Sequence, residues 1–277
     1  MDRPSVARVY DYYLGGTANY EVDREFGEKV LADFPLLKPI ARANRLFLHR
    51  VVRYLAQRGV SQFVDIGSGV PTMGSTHQVA DETGRNTRVV YVDHEPTAVA
   101  HSRTLLETSG DPRRHAVLHA DLREPDELWR QMADTGLIDL GKPVALLLIA
   151  VLHVQQPGPD GTEIGPASVA RYRELLPPGS YLAISHITDD GVPVGLADAL
   201  VGLKRKYDES GSPVIWRSRA EIGALMGDFA GIAPGMTWTS LWHPEASGPG
   251  APAVRFAAPE ESAIWGGVGH KQAREAA

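Results

Sequence analysis

The 277-residue chain has no cysteine, which excludes disulfides and thiolate metal sites and suits a reducing cytoplasm. Positive charge is not in excess: 28 Lys and Arg stand against 34 Asp and Glu. No basic field exists to attract a phosphate backbone, so nucleic acid is not an expected partner. Long hydrophobic runs are missing too. The densest, residues 144–152, falls far short of the ~20 residues needed to cross a bilayer. The opening MDRPSVARVYDYY lacks the apolar stretch of a signal peptide, so neither membrane nor export is expected and the chain is read as a cytoplasmic protein. Metal-ligand spacings such as H-E-x-x-H are missing, as are repeats and heptads, so no metal is expected.

What is present organises around VSQFVDIGSGVPTMGSTHQVA, residues 60–80. A short apolar strand runs into the turn Asp65-Ile66-Gly67-Ser68-Gly69, and a polar segment then opens a helix. Glycines let backbone approach a ligand, and a helix N-terminus offers unpaired N–H groups, so the stretch predicts a nucleotide crevice. A dinucleotide fingerprint needs a third glycine where Thr72 stands. The D-x-G-x-G pattern instead resembles motif I of class I S-adenosylmethionine methyltransferases, in which the acidic side chain orients the loop and faces the ammonium end of the ligand. An ordinary strand-to-helix connection would use the same letters.

Strands and helices alternate beyond this turn. The strand 88–93 ends in Asp93, 24 residues past Gly69, placed to accept from both hydroxyls of a ribose; His94 follows and is grouped with it. The strand 115–120 leads to Asp121 and Leu122, the pair that in methyltransferases meets the adenine amine and ring, although a strand-end Asp also caps helices. An almost wholly apolar run, 143–154, predicts a central parallel strand covered on both faces and ending near His153. The strand 180–186 ends in His186. Strand tips thus carry Asp65, Asp93, Asp121, His153 and His186. Helices are expected near 194–209 and 218–229, then a closing hairpin of strands 236–242 and 264–271 around a Pro/Gly/Ala-rich loop, 243–259.

The first 59 residues read as helical. Ser5 caps a helix with Val6, Val9, Tyr10, Tyr13 and Leu14 on its buried face and Arg8, Asp11 and Tyr12 opposite. Gly15-Gly16-Thr17-Ala18-Asn19-Tyr20 is either a closing loop or a plain turn between helices. Helices over 22–34 and 39–57 follow. Asn44 lies on the apolar stripe of the latter and requires an interior partner, while Arg45 could reach a carboxylate or simply be solvated.

Taken together, VARVYDYYLGGTANYEVDR, ARANRLFLHRVVRYLAQRGVSQFVDIGSGVPT, VVYVDHEPTAVAHSR, Asp121-Leu122-Arg123, PVALLLIAVLHV, LPPGSYLAISH and GGVGHK resemble an actinobacterial S-adenosyl methyltransferase family first catalogued as a domain of unknown function. The resemblance implies an α/β fold, a Rossmann-like doubly wound sheet of seven strands with one antiparallel, preceded by a helical lid; domains of 1–59 and 60–277 are expected. It implies S-adenosylmethionine as cofactor, S-adenosylhomocysteine as product and a small-molecule acceptor, with the oligomeric state open and a homodimer among the options. Gly67 and Gly69 would take the methionine portion with Asp65 facing its ammonium end, Asp93 the ribose, and Asp121 and Leu122 the adenine; Ser68, Thr72 and His94 join them as cofactor-binding residues. Tyr12, Gly16, Asn19, Tyr20 and Arg45 become lid or wall residues, with Arg8 and Asn44 beside them and Tyr20 near the sulfonium. Pro71, where many relatives have glycine, stiffens the loop. His153 is the candidate general base, with a loop-holding histidine as its rival role, and His186 a weaker one. A non-catalytic cofactor sensor or scaffold is the alternative, and a nucleotide-dependent oxidoreductase is disfavoured by Thr72.

Overall fold

The computed structural model describes residues 3–70, 73–248 and 250–272. Thr72 and Pro71 therefore lie outside the described residues. Three helices come first: α1 (Val6–Leu14), α2 (Glu21–Asp33) and α3 (Leu37–Gln57). Then β1 (Gln62–Ile66), α4 (Thr76–Asp81), β2 (Arg88–Asp93), α5 (Pro96–Ser109), β3 (His115–His119), α6 (Pro125–Asp134), β4 (Ala145–Ile149), α7 (Gly165–Leu175) and β5 (Tyr181–Ile187) alternate. The chain closes with α8 (Val194–Ser210), α9 (Arg219–Ala224), β6 (Ala230–Gly231), β7 (Thr237–Trp238) and β8 (Ile264–His270).

The sheet runs β3-β2-β1-β4-β5-β8-β6, with β7 also pairing β8. The five strands β1 to β5 are mutually parallel, and β8 enters antiparallel beside β5. Alternation along each strand sorts its side chains onto two cores. Val64, Ile66, Leu146, Leu148, Leu182 and Ile184 face one core, which also holds Leu128, Tyr172 and Ile222. Phe63, Tyr91, Ala145, Leu147 and Ala183 face the other, where α3 contributes Phe47, Leu48, Val51, Val52 and Leu55. Both faces of β4 are therefore dry, which is why its sequence is unbroken Ala, Leu and Ile. A third cluster joins α1, α2 and the head of α3 to α8, through Val9, Tyr13, Val30, Ile40, Leu200 and Leu203.

Three expectations change. The strand expected over 236–242 shrinks to β7, because the chain turns through a 3-10 segment, Thr239–Leu241, to bury Trp242 edge-on against Phe47, 5.5 Å between ring centres. The run 143–154 leaves the sheet after Ile149, where Ala150 adopts φ +58°, so His153 sits in the turn beyond β4 and not on its tip. Arg8 and Asp11 are buried, 5% and 1% exposed, instead of facing solvent; their charges are satisfied inside the protein, as described below.

Phe47 is fully buried between α3, the sheet and Trp242. Phe47→Ala is expected to lower unfolding free energy by about 3–5 kcal/mol, the cost of an aromatic-sized core cavity, measured by urea denaturation.

Candidate cofactor and active site

The turn after β1 is held by backbone contacts that only its glycines allow. Gly67 and Gly69 have φ of +67° and +61°, and a Cβ at Gly67 would lie 2.3 Å from Val151 Cγ2. The amides of Gly67 and Ser68 donate to Val92 O at 2.8 and 3.2 Å. Gly69 N donates to Asp93 Oδ2 at 2.8 Å, and Glu95 N donates to Asp93 Oδ1 at 2.9 Å. Asp93 thus shapes the turn as well as facing it, and burial, outweighing those two N–H bonds, raises its pKa. The Ser68 hydroxyl is buried with no hydrogen-bond partner among the described residues.

Asp65, near the end of β1, points to the α3 face and accepts from Thr76 Oγ1 at 2.6 Å. Burial pushes its pKa up to about 6, against the pull of Thr76 and Arg45. Arg45 on α3 is itself only 7% exposed. Among the described residues its guanidinium makes no hydrogen bond or ion pair, and its partner is the ring of Tyr10, 6.0 Å away. One turn along α3, His49 holds Gly74 O through Nε2 at 3.1 Å and so fixes the far end of the loop. Burial and then the Arg45 charge lower the His49 pKa to about 3, keeping the imidazole neutral.

The N-terminal helices are clamped by charge. Arg8 donates from Nε to Asp23 Oδ2 and from Nη1 to Glu95 Oε1, both at 2.7 Å, and Ser5 Oγ also donates to Glu95. The ring of Tyr20 lies 5.0 Å from the Arg8 guanidinium, and Tyr20 N donates to Asp23 Oδ2 at 2.9 Å. Glu95 is two residues past Asp93, so this clamp ties α1 and α2 to the segment that follows β2. Asn19 donates from Nδ2 to Asp11 Oδ2 at 2.7 Å and to Gly16 O at 2.9 Å. A Cβ at Gly16 would fall 1.9 Å from Asp11 Oδ1, which explains glycine there. Tyr12 packs over Gly27 and donates to Glu28 at 3.4 Å, so it serves the contact between α1 and α2.

A cavity of about 300 Å³ opens between the tips of β2 and β3, lined by His94, His119, Ala120, Asp121, Glu124 and Leu128 among others. Asp121 already accepts from Arg123 N at 2.9 Å and from the Arg123 guanidinium at 2.5–3.0 Å. Burial raises the Asp121 pKa, but the Arg123 bonds outweigh it and hold the carboxyl below its usual range. The Leu122 side chain lies in the core, not on the cavity wall, and its carbonyl accepts from Tyr172 OH at 3.0 Å.

The two imidazoles differ. His186 is fully buried; Nδ1 pairs with Ile187 O at 2.6 Å and Nε2 with Arg217 Nη1 at 2.8 Å. A general base needs a free lone pair, and His186 has none. Burial, His153 and Arg217 hold its pKa well below the usual value. Arg217 also donates to Leu152 O at 2.6 Å and to Glu163 at 3.0 Å, so this group braces the turn after β4. His153 stands edge-on to His186 at 5.7 Å. Its Nδ1 is buried without a partner among the described residues, and burial, then the Arg217 charge, lowers its pKa to about 4.

Asp65, Gly67, Ser68, Gly69, Asp93 and Arg45 therefore converge on one edge of the sheet, with His94 and Asp121 on the adjoining cavity. Arg8, Gly16, Asn19 and Tyr20 hold α1, α2 and their connection together, while Leu122, Tyr12 and His186 face elsewhere. Glu95, Asp23 and His49 were not anticipated. Asp23 stands at the third position of α2, where acids cap helices, and that was the available signal. Among the described residues no helix is long and apolar enough to cross a membrane, and no group of three or more His, Cys, Asp or Glu could hold a metal.

A parallel sheet with one antiparallel strand between its last neighbours, and acids at the tips of β1 and β2, is the fold of class I methyltransferases. The model of the S-adenosyl methyltransferase family matches residues 1–272, and the chain belongs to that family. It is an S-adenosylmethionine-dependent methyltransferase by that membership. Similar solved structures include a presumed methyltransferase from Thermobifida fusca YX, at 37% identity over 99% of this chain and 97% of that one, TM-score 0.84. A DUF574 family protein from Streptomyces avermitilis MA-4680 is 33% identical over 97% of this chain and 98% of that one, TM-score 0.83. No curated protein matches the sequence.

Because the folded-state pKa of Asp65 is raised, its ionisation opposes folding: the associated stability is present below the unfolded pKa near 4 and is lost as pH rises through about 6. Asp65→Asn is therefore expected to stabilise the ligand-free protein by about 1–3 kcal/mol at pH 8 and by much less at pH 4, read from denaturant midpoints at the two pH values.

Proposed function

We propose that this protein transfers a methyl group in line to a small-molecule acceptor, with the cofactor lying across the tips of β1 and β2 beneath α1 and α2. The observation that carries this is Arg45, a buried cation without a hydrogen-bond partner among the described residues, beside a glycine turn whose Ser68 hydroxyl is likewise unpaired. Leaving a buried hydroxyl unpaired costs free energy, as does partly desolvating a cation that has no hydrogen-bonded anion. An amino-acid ligand relieves it: its carboxylate pairs with Arg45 and its ammonium with Asp65. Asp93 keeps acceptor capacity for ribose hydroxyls beyond its two N–H bonds, and the cavity bounded by His94 and Asp121 has room for a purine. The residues fit the cofactor.

S-adenosylmethionine supplies an activated methyl on a sulfonium, so the protein's task is to align the acceptor and exclude water. The helices α1 and α2, clamped through Arg8, cover the site. His153 is neutral across physiological pH and keeps an unpaired nitrogen, which suits it to accept a hydrogen bond from the acceptor's nucleophile. With a pKa near 4 it is a weak proton sink, so we assign it to orientation more than to full proton removal. A rate that depends on its lone pair is flat from pH 5 to 8 on this account and falls only as pH drops through about 4.

Calorimetry with S-adenosylhomocysteine and with NAD tests the cofactor: heat from the first alone is expected, and heat from NAD alone would overturn it. Arg45→Met should weaken S-adenosylhomocysteine binding by about 1.5–3 kcal/mol, the usual worth of a charged hydrogen bond. Labelled methyl transfer to a panel of small hydroxyl and amine acceptors tests turnover. Tight binding with no transfer across a broad panel would favour a sensor instead.

A further inference from the structure

Five polar groups form one buried chain across the carboxyl edge of the sheet. Ala150 N donates to Ser185 Oγ at 3.0 Å, Ser185 Oγ donates to Asn44 Oδ1 at 2.6 Å, Asn44 Nδ2 donates to Tyr10 OH at 3.0 Å, and Tyr10 OH donates to Ala41 O at 3.0 Å. Each hydroxyl both accepts and donates, so the chain has one direction and a single partner assignment at every link. Asn44 is 1% exposed and Ser185 fully buried, so water does not compete for the bond between them, and each bond of the chain polarises the next.

The chain reaches from the turn after β4 to α1 and α3. At one end is Ala150, a non-glycine residue at φ +58°, a strained conformation that persists only where its surroundings impose it. Val151 follows and sits against Gly67, with no room for a methyl between them. At the other end Tyr10 offers its ring to Arg45, the neighbour of Asn44 on α3. Ser185 Oγ is not needed to keep β4 and β5 together, because Ala150 N also donates to the backbone oxygen of Ser185 at 3.1 Å. The hydroxyl is additional to the sheet, and so is the amide of Asn44.

We infer that Tyr10, Asn44 and Ser185 are positioning residues for the cofactor site, a relay that fixes the spacing between the Arg45 wall and the Val151–Gly67 wall and couples the docking of α1 to the turn after β4. The inference rests on the cofactor assignment made above. Tyr10 and Ser185 both bond Asn44 and are not themselves bonded to one another, so a relay through Asn44 makes their effects on ligand binding interdependent, whereas two separate packing contacts would act independently.

A double-mutant cycle read by S-adenosylhomocysteine calorimetry tests this. Tyr10→Phe keeps the ring against Arg45, and Ser185→Ala keeps the backbone bond to Ala150. Each is expected to weaken binding about fivefold, the double variant also about fivefold, and Ser185→Thr, which retains the hydroxyl, should stay within about twofold of the unaltered protein. If Ser185→Ala does not fold, Ser185→Cys, of similar size and a poor donor, takes its place in the cycle. Effects that multiply to about 25-fold, or single variants that bind like the unaltered protein, would overturn the relay while leaving the cofactor assignment intact. Absence of S-adenosylhomocysteine binding by the unaltered protein would remove the cofactor assignment and the relay with it.

Discussion

The contact between Gly67 and Val151 is the constraint on which the site depends. A turn leaving β1 and a turn leaving β4 press together so closely that one of them must have no side chain. With Gly67 in place, the amides of residues 67 to 69 turn back onto β2, where Val92 O and Asp93 receive them. The carboxylates of β1 and β2 are then held on the same edge of the sheet. Each is pushed up in pKa by burial, because a carboxylate taken out of water loses its hydration, a cost that neighbouring positive charge or hydrogen-bond donors lower.

The helix α3 serves two environments along its length. Its second half covers the sheet with Phe47, Leu48, Val51, Val52, Leu55 and Ala56. Asn44 and Arg45 in its first half, and His49 one turn further on, are buried and polar, near the tips of β1, β4 and β5. A helix normally sends such residues to solvent. Here Ser185, Tyr10 and Gly74 bond Asn44 and His49, and among the described residues Arg45 has the ring of Tyr10 as its neighbour and no hydrogen bond.

Much of this was legible beforehand. The alternating strands and the glycine turn follow from local periodicity and from a motif with a backbone reason behind it, and the antiparallel insertion from the family resemblance. Asn44 on an apolar stripe announced a buried partner, but not which one, because Ser185 lies 141 residues away and nothing local connects them. Arg8 was placed in solvent because an isolated charge on an amphipathic helix usually belongs there; its burial follows from Glu95, 87 residues on. His153 and His186 looked alike as histidines at strand ends. What separates them is Arg217, which reaches one ring and leaves the other, and such a long-range contact is invisible to spacing. The shortened β7 has the same origin: its sequence suits a strand, and the pocket for Trp242 beside Phe47 and Tyr54 diverts the chain.

The Arg8 clamp has a consequence for how α1 and α2 are held. Through it α1 is joined to the segment after β2 by an ion pair with Glu95, whose side chain is 22% exposed. Were that pair parted, Glu95 would pass readily into water, which compensates separated ions far better than it compensates bared hydrocarbon. Dissolved ions also compete for such charges but not for the apolar contacts around α8. The N-terminal helices are thus attached by two unlike fastenings, a polar one that salt weakens and an oily one that it leaves alone.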